Sequence, residues 1–232
     1  MIRTLTPLSK VNPAAYTANV PGSKSFTNRA LVIAAQRMGT TTIANALHAQ
    51  DTNLLAQCLG QFGGLETERT ETGYIVRRTL EKLTAPQEEL YIGAAGTPAR
   101  MLLSFAAAAE GETVITGNPR LCERPMGDIL DSFSKIGVKY ECLKNQGHLP
   151  VKVTGSTLTA REWPIDGSVS SQFVSSLLLF AAQQPEPVTV TVTGNLVSRP
   201  YVMMTLQMMR ECGIEVVESG PQSWTVTPAQ AN

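Results

Sequence analysis

The sequence predicts an α/β domain built from three copies of one helix–strand–helix–strand unit over residues 21 to about 228. Three observations carry that prediction. Residues 22–35, 96–108 and 167–182 each open with Gly-Ser or Gly-Thr and run into an Ala- and Leu-rich stretch of helical length. A β-branched run ending in Asn follows each of them, at residues 40–45, 113–118 and 188–195. An amphipathic stretch then stops at a glycine, and these glycines, Gly63, Gly137 and Gly213, lie 74 and 76 residues apart. Repetition of this kind is a stronger guide to architecture than any single motif.

Each element has a physical reason. The first helix of every unit is apolar nearly all round, which is the pattern of a buried helix. Its small hydroxyl residues suit a helix start, where a side-chain oxygen accepts from a free N–H. The Asn-ended runs alternate β-branched and polar residues and read as strands. The second helices, at 51–62, 125–136 and 201–212, have one apolar face and end at glycine, the usual left-handed cap. Short strands close the units at 73–78, 149–154 and 224–227. Apolar helices therefore sit inside, with half-polar strands and helices outside. The three repeats occupy about 21–90, 91–160 and 161–232. Residues 1–20, which hold Pro7 and Pro13, fall outside the repeat and read as a strand or linker crossing to something else.

Composition narrows the function. The chain has 232 residues, of which 43% are hydrophobic, enough for one large domain or two small ones with a real core. Basic and acidic residues balance at 19 each, so the basic excess of a general nucleic-acid binder is missing. Cys58, Cys122, Cys142 and Cys212 form no CxxC pair, and His48 and His148 stand apart. That spacing offers no zinc site, and scattered thiols fit a reducing compartment. The first residues lack the apolar core of a signal peptide. The longest apolar run, 173–182, is too short to span a bilayer. We expect a cytoplasmic chain with no metal, no cofactor, no nucleic acid and no membrane.

The repeat places three helix starts in equivalent positions, and helix starts attract anions through free N–H groups and the positive end of the dipole. Lys24, Ser25 and Arg29 stand at the first, Gly96, Thr97 and Arg100 at the second, and Ser170, Ser171 and Gln172 at the third. Glu123-Arg-Pro125 and Ser198-Arg-Pro-Tyr201 precede the second helices of units two and three. Charges such as Lys24 and Arg29 near an apolar core require a partner, and a phosphate or carboxylate would supply one. Arginine suits that role because its planar fork meets two oxygens at once. Gly22-Ser-Lys-Ser25 lacks the spacing of a nucleotide P-loop, and Cys122 has no paired histidine to make it a nucleophile.

These motifs, together and in order, resemble the 5-enolpyruvylshikimate-3-phosphate synthase family. They are Pro21-Gly-Ser-Lys-Ser-Phe-Thr-Asn-Arg-Ala30, Ala95-Gly-Thr-Pro-Ala-Arg100, Asn118-Pro-Arg-Leu-Cys-Glu-Arg-Pro125, Asp166-Gly-Ser-Val-Ser-Ser-Gln-Phe173 and Gly194-Asn-Leu-Val-Ser-Arg-Pro-Tyr201. The resemblance implies the enolpyruvyl transferase fold, three βαβαββ units per domain in an inverse α/β-barrel-like arrangement, and two domains closing over the substrates. It implies transfer of the carboxyvinyl group of phosphoenolpyruvate to the 5-hydroxyl of shikimate 3-phosphate. By motif position, Lys24, Ser25, Arg29, Ser170, Ser171, Gln172, Ser198 and Tyr201 would bind shikimate 3-phosphate, with Arg199 nearby. Lys24, Gly96, Thr97, Arg100, Arg124 and Gln172 would serve phosphoenolpyruvate. Lys24, shared by both substrates, is the one catalytic candidate, because the family places its proton-transfer groups in the second half. Residues 1–20 would belong to that other domain, and a complementary C-terminal domain or chain would be the partner.

The chain departs from the family pattern at Ala94, where Asn is usual, and at Pro98, although Pro suits a first helical turn. Two other readings stand beside this one: a module that binds a phosphorylated metabolite without catalysis, and half of the related UDP-N-acetylglucosamine enolpyruvyl transferase. The latter family uses a reactive Cys loop and lacks the Ser-Ser-Gln and Ser-Arg-Pro-Tyr signatures. Without the second half, the chain is expected to bind shikimate 3-phosphate weakly and to be inactive.

Overall fold

The computed structural model describes residues 20–228. The expected crossing segment, apart from Val20, lies outside them. In chain order the first unit holds α1 (Lys24–Gln36), β1 (Gly39–Ile43), α2 (Gln50–Leu59), β2 (Leu65–Arg69) and β3 (Tyr74–Arg78). The second holds β4 (Leu90–Tyr91), α3 (Gly96–Ala106), β5 (Glu112–Thr116), the short α4 (Pro119–Cys122), α5 (Gly127–Ile136), β6 (Lys139–Cys142) and β7 (Val151–Thr154). The third holds β8 (Glu162–Asp166), α6 (Ser171–Ala181), β9 (Val188–Thr193), α7 (Arg199–Glu211), β10 (Glu215–Gly220) and β11 (Ser223–Thr227).

Each unit makes its own sheet, with strand orders β1-β3-β2, β4-β5-β7-β6 and β8-β9-β11-β10. The first strand of units two and three lies parallel to the next, and the remaining pairs are antiparallel. Among the described residues the sheets stay separate, so they enclose the core as three panels and do not close into a barrel.

The apolar helices lie at the centre, as their all-round pattern requires. α3 packs on α1 and α6, and nearly every residue of α3 and α6 is buried. Phe180 stacks within 4.9 Å of Trp163 and meets Phe133 edge-on, which ties α6 to β8 and α5.

The structure corrects two expectations and bears out a third. α2 ends at Leu59 with Gly60 in the right-handed region, and the reversal falls to Gly64 at φ 93°, so Gly63 is not the cap. Gly137 and Gly213 do adopt left-handed backbone, at φ 89° and 82°. The units also contain five strands beyond those read from the sequence, among them β2, β6 and β10. These are polar because most of their residues face water, and solvated strands lose the apolar alternation that betrays a strand.

Phe180→Ala should cost about 3–5 kcal/mol, the usual penalty for emptying a buried aromatic site. Glu68→Ala, which removes an exposed 3.0 Å ion pair with Arg77, should cost less than about 1 kcal/mol. Urea midpoints of the two variants check the contrast.

Candidate functional site

In every unit the approach to the first helix is laced to the approach to the second. The backbone of Gly22 runs so close to that of Asn45 that an added Cβ would lie 2.3 Å from the Asn45 carbonyl oxygen, and Leu47 N–H donates to Thr27 Oγ1 at 3.0 Å. Asn118 N–H donates to the Gly93 carbonyl at 2.9 Å, and Asn118 Oδ1 caps α4 by accepting from Leu121 N–H. Val197 N–H donates to the Gly167 carbonyl at 3.1 Å. These ties bring Lys24 beside α2, Gly96 beside Arg124, and Gly167 against the turn that leads to Ser198.

Two arginines then join the units. Arg29 is 1% exposed. Its Nε donates to Thr205 Oγ1 at 2.6 Å, Nη1 to the Ser25 carbonyl at 3.0 Å, and Nη2 to Ser175 Oγ and the Tyr201 carbonyl, each at 3.2 Å. One guanidinium thus spans α1, α6 and α7. Burial pulls its pKa down to about 10, partly offset by the neighbouring Tyr201, so it stays charged at neutral pH. Arg100 of α3 donates to Gln172 Oε1 of α6 at 2.6 Å, while Ser176 Oγ donates to the Arg100 carbonyl. Its guanidinium also lies 4.7 Å from the Phe173 ring. Burial lowers the Arg100 pKa, the Arg124 charge lowers it further, and Asp128 opposes both. Arg100 Nε is buried without a hydrogen-bond partner.

Gly96 sits between these cations. A Cβ there would lie 2.7 Å from Arg124 Nη1 and 3.1 Å from Arg100 Nη1. The two guanidiniums therefore face one bare helix start. α1 and α3 have no side-chain cap, whereas Ser170 Oγ caps α6 by accepting from Gln172 N–H at 3.2 Å. The hydroxyl caps expected at all three starts thus form at one only. Uncapped N–H groups beside cations are what an anion needs.

Lys24 is half-exposed and its Nζ lies 3.0 Å from Asp51 Oδ2 at the start of α2. Thr97 is half-buried in the first turn of α3. Pro98, third in that helix, removes an N–H that has no intrahelical partner, and Ala94 is exposed in the turn before it. Ser198 holds left-handed backbone at φ 53°, which costs a non-glycine residue about 1–2 kcal/mol. Tyr201 is 46% exposed, with its ring 6.0 Å from the Arg29 guanidinium. Arg199 turns away to Glu218 at 3.4 Å.

Sequence reasoning missed Asp51, Ser175 and Thr205, the partners of Lys24 and Arg29. The signal for Ser175 was a hydroxyl inside an otherwise apolar helix, which demands a partner.

The three-unit α/β panel fold is shared with enolpyruvyl transferases of known structure. EPSP synthase from Acinetobacter baumannii superimposes on 91% of the chain with a TM-score of 0.77 at 25% identity, over 46% of its own length. The enolpyruvyl transferase NikO from Streptomyces tendae shares the fold over 90% of the chain and 47% of its own, with a TM-score of 0.60 at 18% identity. A family model described as EPSP synthase (3-phosphoshikimate 1-carboxyvinyltransferase) matches residues 9–232. The chain belongs to the EPSP synthase family. It is 40% identical over 213 residues to the 3-phosphoshikimate 1-carboxyvinyltransferase of Methanospirillum hungatei, covering 92% of this chain and 49% of that protein. The Vibrio vulnificus enzyme of the same name is 36% identical over 230 residues, covering 98% and 53%. The chain spans about half the length of the curated relatives it matches.

Arg29→Met should lower stability by about 1–3 kcal/mol, because its acceptors lose charged donors while the cost of burying the charge is relieved. Arg29→Lys should recover little of that loss, since an ammonium cannot reach three helices at once. Urea unfolding of both variants reads the difference.

Proposed function

We propose that this chain forms the shikimate-3-phosphate side of an enolpyruvyl transferase site, with phosphoenolpyruvate meeting it at Gly96. The reaction would transfer the carboxyvinyl group to the 5-hydroxyl of shikimate 3-phosphate and release phosphate. The observation that carries this reading is the convergence of Arg100 and Arg124 on Gly96, joined through Gln172 to the serine-rich start of α6.

In the proposed complex, Ser170, Ser171 and Ser198 take the 3-phosphate through hydroxyls and helix-start N–H groups. Tyr201 lies against the shikimate ring. Lys24, Arg124 and Gln172 face phosphoenolpyruvate, with Thr97 supporting the loop, and Lys24 leaves Asp51 to contact both anions. Arg29, occupied by four protein acceptors, acts by holding Ser25 and Tyr201 in place. Two multiply charged substrates repel each other, and this cluster of cations and donors offsets that repulsion. Proton transfer would fall to acidic groups of a second half, a complementary domain or chain, in a cytoplasmic protein.

Binding by this half alone should be weak. About three charge-assisted hydrogen bonds contribute roughly 4.5–9 kcal/mol, and association costs at least about 4 kcal/mol. The remainder is at most about 5 kcal/mol, an affinity no tighter than the order of millimolar.

Calorimetric titration with shikimate 3-phosphate should give saturable binding that unphosphorylated shikimate does not. Lys24→Ala with Ser170→Ala should abolish it. Loss of all binding up to several millimolar would overturn the reading. Gly96→Ala should weaken phosphoenolpyruvate binding about tenfold or more, since losing one charged contact costs about 1.5–3 kcal/mol, and should leave the urea midpoint nearly unchanged because flexible arginine ends give way.

A further inference from the structure

Gly96 is faced by two guanidiniums of like charge. A Cβ built there would lie 2.7 Å from Arg124 Nη1 and 3.1 Å from Arg100 Nη1, so no side chain separates the pair over that helix start. Like charges this close repel. Arg124 is exposed and free to turn into water, whereas Arg100 is 8% exposed and must be held where it is.

One side of Arg100 is held by α6. Nη1 donates to Gln172 Oε1 at 2.6 Å, and the guanidinium lies 4.7 Å from the Phe173 ring. The other side has no such match, because Nε is buried and donates to no protein acceptor. Buried donors are nearly always satisfied, so an orphan of this kind calls for an explanation.

An orphaned acceptor accompanies it. Asp128 is the second residue of α5, four residues beyond Arg124, and its Oδ2 is buried and accepts from no protein donor. α5 packs on β8, and β8 leads directly into the turn and helix start that carry Gln172. Asp128 is thus linked to the Arg100 surroundings by two routes, through Arg124 and across β8. The two charges also act on each other. Burial, Asp166 and Asp131 push the Asp128 carboxyl up, while Arg100 pulls it down. Burial and Arg124 lower the Arg100 pKa, while Asp128 opposes them. Nε and Oδ2 make no direct hydrogen bond. One buried water between them would satisfy the donor and the acceptor together.

We propose that Asp128 is a positioning residue for the anion site: through one buried water it engages Arg100 Nε and holds the guanidinium at Gly96, opposite Gln172 and against the repulsion of Arg124. Its bearing on phosphoenolpyruvate rests on the function proposed for Gly96, and its hold on Arg100 does not.

A mere counter-charge would behave differently, and the difference is one of sign. A negative charge near the site opposes an anion, so removing it would tighten binding. Removing a positioning residue lets Arg100 drift and weakens binding. Asp128→Ala and Asp131→Ala each take one acid from α5, the second from an exposed place. Hydrogen exchange of the arginine Nε–H groups is read by NMR without ligand. In Asp128→Ala the Arg100 group should exchange about fivefold faster or more, the factor that one net hydrogen bond supplies, and in Asp131→Ala it should not change. Arg29 Nε–H, bonded to Thr205, should exchange slowly in all three chains, which shows the fold intact. Phosphoenolpyruvate is then titrated against the Gly96 amide. Its affinity should fall about fivefold in Asp128→Ala and should not fall in Asp131→Ala. If the Gly96 amide of the unaltered chain does not respond, the function proposed for Gly96 fails, and the Arg100 exchange alone decides the role of Asp128. Unchanged Arg100 exchange in Asp128→Ala, or tighter phosphoenolpyruvate binding by that variant, would overturn the assignment.

Discussion

A single buried cation organises the centre of this molecule. Arg29 lies inside a bundle built mainly of apolar side chains, and a charge in that setting persists only if its donors are matched. Thr205, Ser175 and the carbonyls of Ser25 and Tyr201 match them. Each comes from a helix start or the turn after it, so satisfying one guanidinium fixes α1, α6 and α7 relative to one another. Arg100 does the same between α3 and α6 through Gln172. Hydrophobic burial draws the helices together without direction, and these polar clamps set the depth at which each begins.

That arrangement has a chemical consequence. The starts of α1 and α3 carry no side-chain cap, with Lys24 at the first of them and Arg124 beside the second. A positive dipole end is useful to an anion only where no side chain has already satisfied it, and α1 and α3 meet that condition. Gly96 lets two guanidiniums close over one such end. The same repeat that builds the core gives each unit one such helix start, and the proposed site draws on all three.

The repeat was legible in the sequence because buried helices must be apolar on every side, and residues 96–108 and 167–182 are. Most candidate site residues were legible through motifs that cluster at those helix starts. The rest was hidden for physical reasons. β2, β6 and β10 face water and need no apolar alternation, so Leu65–Arg69 reads as a polar loop. Thr205 and Ser175 lie 176 and 146 residues from Arg29, and nothing local marks them as its partners. Asp51 resembles any acid in a first helical turn until Lys24 is seen to reach it. The Gly63 cap failed because α2 already ends at Leu59, and the chain turns over residues 60–63 before the backbone reverses at Gly64.

We propose that three helix starts form one preformed anion site. Amide chemical shifts during titration with inorganic phosphate and then shikimate 3-phosphate test it most directly. In that case the amides of Lys24–Ser25, Gly96–Thr97 and Ser170–Gln172 shift together along one saturation curve with shikimate 3-phosphate. Shifts confined to a single helix start, or scattered over the lysines of the surface, would contradict it.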